Sequence, residues 1–106
     1  MNMASMMQKA QQMKSRMAEM QEEVMNMDIE GESGGGMVKV ATNGKGQVRS
    51  IDIQKDILNP DDKEMIEDLV TAAINDSRAK AEALISEKTK KIMTDLGLPA
   101  DMDFPM

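Results

Sequence analysis

Three consecutive glycines, Gly34, Gly35 and Gly36, and a second cluster of Gly44, Lys45 and Gly46 are the residues of this chain that invite a phosphate reading. Glycine-rich turns can aim successive backbone N–H groups at one anion, and a nearby lysine adds charge. The spacing argues otherwise. A P-loop of the GxxxxGK[ST] kind follows a strand and opens a helix. Here Lys45 is followed by Gly46, Lys39 stands where the first glycine would be needed, and β-rich residues come next instead of a helix. The dinucleotide pattern GxGxxG fails as well, because Val38 and Lys39 occupy the stretch where its third glycine belongs. Both clusters therefore read as hairpin turns, where glycine supplies positive φ.

The other candidates for chemistry are few. The chain has no cysteine and no histidine, which removes thiolate nucleophiles, Cys/His zinc sites, disulfides and the serine–histidine relay. Carboxylates and lysines remain. Asp52 and Asp56 with neighbouring lysines could begin an enzyme, but nothing in the spacing defines a nucleophile, a base and an oxyanion site together. The acidic cluster Asp61, Asp62 and Glu64 could suggest a metal. Without an EF-hand spacing it reads better as compensation of a helix dipole. The expectation is a protein that is not an enzyme, with no cofactor, no metal and no small-molecule substrate.

Those residues sit in 106 positions, enough for one modest core. Any large cleft would have to be shared with a second copy. Fourteen methionines stand against a single aromatic, Phe104. The core must be filled by flexible side chains, and aromatic platforms for unpaired bases are lacking. No run approaches the roughly 18 apolar residues of a membrane span. The N-terminus MNMASMMQKA has no charged signal region or cleavage site. A cytoplasmic protein with no membrane partner is expected.

The hydrophobic period assigns the elements. Met3, Met6, Ala10, Met13, Met17, Met20, Val24 and Met27 alternate three and four apart, a heptad seam on one helix over about 3–27. Residues 28–54 then switch to short β-rich pieces punctuated by glycine, predicting strands at about 28–33, 37–43 and 47–54 in an antiparallel meander. Val48 falls on one side of the third strand and Ile51 and Ile53 on the other. One face could meet the helices and the other a second subunit. At NPDDKEMIEDLV a helix starts, with Asn59 as cap, Pro60 in the first turn and acids after it. It runs over about 61–95 to a stop at Gly97 and Pro99, opening the tail 97–106. At 1.5 Å per residue this helix is about 50 Å long, more than three short strands can cover. The far parts of the two helices can pair as an antiparallel arm, leaving the exposure of the tip methionines as an open point.

Net charge is −6, from 13 Lys+Arg against 19 Asp+Glu, but its distribution is uneven. Residues 1–18 hold Lys9, Lys14 and Arg16 and no acid; residues 77–93 hold Arg78, Lys80, Lys88, Lys90 and Lys91 against Glu82 and Glu87. Both segments are expected on the outer arm, while residues 61–76 are strongly acidic. A locally basic surface suffices for phosphate binding, because released counterions drive it. A solvated helix face is the plainer account of the same lysines.

The word-level pattern adds a family. MQKAQQMKSRMAEMQEEV, GESGGGMVKVATNGKGQVRSIDI, DDKEMIEDLVTAAINDSRAKAE and the tail GLPADMDFPM, taken in order, resemble the YbaB/EbfC family of bacterial nucleoid-associated proteins. The resemblance implies an α+β fold of helix, three-stranded antiparallel sheet and long helix, arranged as a tweezer-like homodimer with protruding helical arms. It implies duplex DNA binding with little sequence preference, location in the cytoplasm and nucleoid, and an effect on nucleoid organisation and gene expression. The hairpin match marks Gly31, Gly34, Gly36, Val38 and Lys39 as fold determinants. Lys9, Lys14, Arg16, Arg78, Lys80, Lys88, Lys90 and Lys91 are the candidate DNA contacts, each a phosphate contact and none a base reader. The alternative is a prefoldin-like holdase or coiled-coil adaptor that grips proteins with apolar arm tips.

Overall fold

The computed structural model of the chain describes residues 2–99. Most of the expected tail, with Asp101, Asp103 and Phe104, lies outside the described residues. The elements follow in the expected order: α1 (Met3–Met25), β1 (Ile29–Ser33), β2 (Val38–Thr42), β3 (Val48–Ile53) and α2 (Lys63–Asp95). The strands form one antiparallel sheet in the order β1-β2-β3.

Local chemistry sets the boundaries. The Asn2 side chain accepts from Ser5 N at 2.7 Å and opens α1. The helix ends at Met25 rather than Met27, because the chain turns at Asn26 to enter β1 and Gly44 N donates to the freed Val24 carbonyl at 2.7 Å. α2 is preceded by two 3-10 turns, Lys55–Ile57 and Pro60–Asp62, and across the second Asn59 Oδ1 accepts from Asp61 N. At its other end Gly97 takes φ 72°, and the N–H groups of Gly97 and Leu98 return to the carbonyls of Thr94 and Met93. The tight turn between β1 and β2 uses Gly34, Gly35 and Gly36, all at positive φ.

α2 lies across β1 and β2, where Val38, Val40 and Ala73 are buried with Ile53, Ile57, Leu69, Val70 and Ile74 against them. Gly31 makes this approach possible, since a Cβ there would collide with the backbone of Ser77 and Ala73. Of the other hairpin residues, Val38 is fully buried, whereas Lys39 is exposed and lies across from Glu32 and Asp52. A second core of Met20, Val24 and Ile92, with Met17, Leu84, Ile85 and Leu96, joins the C-terminal parts of the two helices. Arg16 pairs with Asp95 and Glu23 with Lys88, so the helices run antiparallel as expected.

Two expectations need correction. The heptad seam is buried at Met13, Met20 and Val24, but Met3, Met6 and Ala10 are exposed. α2 stops at Asp95, so the first turns of α1 run past it without a helical partner among the described residues. β3 does not carry apolar residues on two sides. The register slips between Ala41 and Thr42: Ala41 faces Ser50 while Thr42 faces Val48, leaving Arg49 as the extra residue of a bulge. Val48 therefore shares a face with Ile51 and Ile53, the face that α2 covers. That helix lies mainly over β1 and β2, and Val48 and Ile51 remain 40% and 47% exposed. The other side of the sheet carries Glu30, Glu32, Lys39 and Asp52 and is polar, not the expected apolar surface for a second subunit.

Candidate nucleic-acid interface

The molecule is 67 Å long and about 20 Å thick in the other two directions (22 and 18 Å), so the helix pair projects well beyond the sheet. Along this pair, α1 brings Arg16 and α2 brings Lys88 and Lys91 to one groove of about 280 Å³, which Glu19, Met20, Glu23 and Ile92 complete. Two of its cations are held by acids. Arg16 Nη2 donates to Asp95 Oδ2 at 3.1 Å, and Lys88 Nζ to Glu23 Oε1 at 2.9 Å. Lys91 lines the same groove with no acid within ion-pair distance among the described residues.

The remaining arm cations face elsewhere. Lys90 is exposed and lies two residues, about 200°, round the helix from Lys88. Lys14 is exposed and stands in the same relation to Arg16. Lys9 is half-buried, its Nζ close to Gly97 where the described chain nears its end. The arm thus offers cations on several sides rather than one basic stripe.

Arg78 and Lys80 are not on the outer arm, contrary to the reading from sequence. Ser77, just before them, is buried under the sheet-facing side of α2. Arg78 Nε donates to the Gly46 carbonyl at 3.1 Å, beside the β2–β3 turn. Lys80 Nζ reaches the Glu30 carbonyl at 3.3 Å and Asp76 Oδ2 at 3.1 Å, beside β1. Both cations sit at the root of the arm. Asp76 also accepts from Glu32 N at 2.9 Å. That backbone hydrogen bond first, and Lys80 second, hold its carboxyl below the usual carboxylate range.

Away from the arm, Asp61, Asp62, Glu64, Glu67 and Asp68 are all exposed at and after the start of α2. Beside them an apolar depression of about 430 Å³ is lined by Leu58, Asn59, Pro60, Lys63, Ile66 and Glu67. The sheet end is therefore acidic, while the helix pair balances Lys9, Lys14, Arg16, Lys88, Lys90 and Lys91 against Glu19, Glu22, Glu23, Glu82, Glu87 and Asp95. No described helix is long and apolar enough to cross a membrane.

The pairing acids Glu23 and Asp95 were not among the residues singled out from the sequence. Glu23 and Asp95 lie just outside the basic segments 1–18 and 77–93. An antiparallel pairing of the two helices, had it been drawn residue by residue, would have set Glu23 near Lys88.

Known proteins resemble this chain over nearly its whole length. Residues 1–96 match the family described as the YbaB/EbfC DNA-binding family. A nucleoid-associated protein of Rhodospirillum rubrum is 43% identical over 104 residues, covering 98% of this chain and 97% of the relative. One from Granulibacter bethesdensis is 41% identical, with the same coverage. The crystal structure of an uncharacterized protein from Helicobacter pylori superposes with a TM-score of 0.67 at 26% identity, over 91% of this chain and 97% of that one.

Proposed function

Since the chain belongs to the YbaB/EbfC DNA-binding family, we propose that it is a nucleoid-associated protein that binds duplex DNA with little sequence preference through the helical arms of a homodimer. The observation that carries this reading is the arm itself. It is a projecting helix pair on which Lys9, Lys14, Arg16, Lys88, Lys90 and Lys91 offset an equal number of acids, on a chain that is acidic around the sheet. Arg78 and Lys80 add charge at its root. Flexible cations on a rigid rod suit phosphates, which position a protein without reporting sequence. The lack of an aromatic residue among positions 2–99 favours duplex over single-stranded DNA. Binding of this kind would place the protein on the nucleoid and let it influence compaction and gene expression.

The homodimer forms on the uncovered part of the sheet face beside α2, where Val48 and Ile51 are exposed. Exposed apolar residues on an edge strand are otherwise a liability. Two arms joined at this face would attach to one duplex at two points, and effective concentration would strengthen individually weak contacts.

The test is a salt series of duplex binding by fluorescence anisotropy, with wild type beside a Lys88→Ala/Lys90→Ala/Lys91→Ala variant. With about six phosphates engaged, affinity falls by about three orders of magnitude between 50 and 200 mM salt, and the triple variant shows a flatter slope. Absence of binding at low salt, with the oligomer intact, would remove the nucleoid reading.

A second reading is favoured by one observation. Met3, Met6 and Met7 are exposed by 77%, 57% and 67% at the end of the arm, and methionine-rich surfaces accommodate varied partners. A holdase or adaptor would use them. Suppression of aggregation of an unfolding test protein, lost in a Met3→Ser/Met6→Ser/Met7→Ser variant, would support this use.

A further inference from the structure

Each cation that the arm groove pairs with an acid is held as a phosphate would hold it. Arg16 and Lys88 donate to carboxylate oxygens of Asp95 and Glu23 at 3.1 and 2.9 Å, the kind of charge-assisted contact they would make to a phosphodiester oxygen. Both acids come from the opposite helix, so each pair crosses the arm. Lys91, on the same groove, has no such partner among the described residues.

We propose that Glu23 and Asp95 are internal competitors of DNA phosphate, which hold Lys88 and Arg16 in reserve and set the affinity of the arm below what its cations could reach. The inference rests on the DNA-binding reading above and names two affinity-setting residues for it.

The pairs are suited to exchange. Side-chain exposure is 42% and 43% for Arg16 and Asp95, and 28% and 58% for Lys88 and Glu23. Solvent-screened pairs of this kind are weak and give up a partner readily. A duplex backbone lying against the groove would draw Arg16 and Lys88 outward onto phosphates, but the released carboxylates would stay nearby and repel the same backbone. The acids therefore oppose binding twice, by occupying the donors and by their own charge. An arm built in this way binds loosely and releases readily.

The experiment compares Glu23→Gln, Asp95→Asn and the double variant with wild type in salt-series anisotropy on one duplex. Glu22→Gln serves as a control that removes the same charge one residue away. The paired variants should bind about two- to fivefold more tightly each, with a salt slope steeper by up to about 0.9 per released cation, whereas Glu22→Gln should leave the slope unchanged. The gain from Glu23→Gln should fall to that of Glu22→Gln in a Lys88→Ala background, and that from Asp95→Asn should fall likewise in an Arg16→Ala background. Equal behaviour of Glu22→Gln and Glu23→Gln, or a gain undiminished by loss of the cation, would overturn the proposal while leaving DNA binding in place. Failure of every protein to bind at low salt would overturn the DNA-binding reading and this inference together.

Discussion

Ser77 of α2 and Thr42 of β2 meet hydroxyl to hydroxyl, Oγ to Oγ1 at 2.6 Å, and neither residue is exposed to solvent. Ser77 also donates to the Ile29 carbonyl of β1 at 2.6 Å. A serine hydroxyl has one hydrogen, so Thr42 must be the donor in the first bond. One residue of α2 is thus tied to two strands by a directed chain, at the point where Gly31 lets helix and sheet approach.

Ser77→Ala would leave the Thr42 hydroxyl and the Ile29 carbonyl without this partner, at a cost of about 1–3 kcal/mol. Adding Thr42→Val removes the stranded donor, so the double variant should lose less than the two single losses summed. Urea denaturation of the four proteins measures both quantities. Strict additivity would mean that the bond contributes nothing of its own.

Gly31→Ala drives a methyl into the backbone of Ser77 and Ala73, which cannot yield by changing a rotamer. α2 must lift from β1, with a loss of about 3 kcal/mol, the upper part of the usual range for overpacking. A thermal melt within a degree of wild type would show that the helix shifts without resistance.

Ile51→Lys places a charge in the exposed apolar row of β3 and should turn the proposed homodimer into a monomer without altering the helix content. Sedimentation equilibrium with far-UV circular dichroism reads the two properties separately. A dimer that persists unchanged would locate the interface elsewhere. The side chain is 47% exposed in the single chain, so folding itself has little reason to suffer.

Asp76 gives a dependence on pH. Its carboxyl is held below the usual range, by the Glu32 backbone N–H first and Lys80 second. The unfolded chain therefore binds the proton more readily, and the stabilisation is present above the ordinary aspartate value. It is lost as pH falls through the lower folded value. Thermal melts from about pH 5 downward should show the difference between wild type and Asp76→Asn shrinking toward zero. A difference that stays constant with pH would assign the effect to something other than ionisation.

Much of the fold was legible because its signals are local. The three-and-four spacing of methionines marked α1, the GESGGG and NGKG turns separated the strands, and Asn59 with Pro60 announced α2 to within a few residues. The candidate interface was legible in kind but not in arrangement. Lys88, Lys90 and Lys91 lie close together in the chain, yet the helix turns Lys90 away from the other two. Arg78 and Lys80 looked like arm residues only because the sequence does not say how far along α2 the sheet extends.

What the sequence determined by itself is the order and type of the elements and the chemistry left to them, because period, turn residues and composition act over a few neighbouring positions. A chain without cysteine or histidine carries its charge on lysine, arginine and carboxylates whatever its fold. The tertiary structure alone decided which of those charges meet. The bulge at Arg49 put Val48 beside Ile51, the end of α2 at Asp95 left Met3 and Met6 uncovered, and the crossing of the arm set Glu23 against Lys88 and Asp95 against Arg16. Each of these is a relation between residues far apart in the chain, fixed by helix length, strand register and the packing of one element on another.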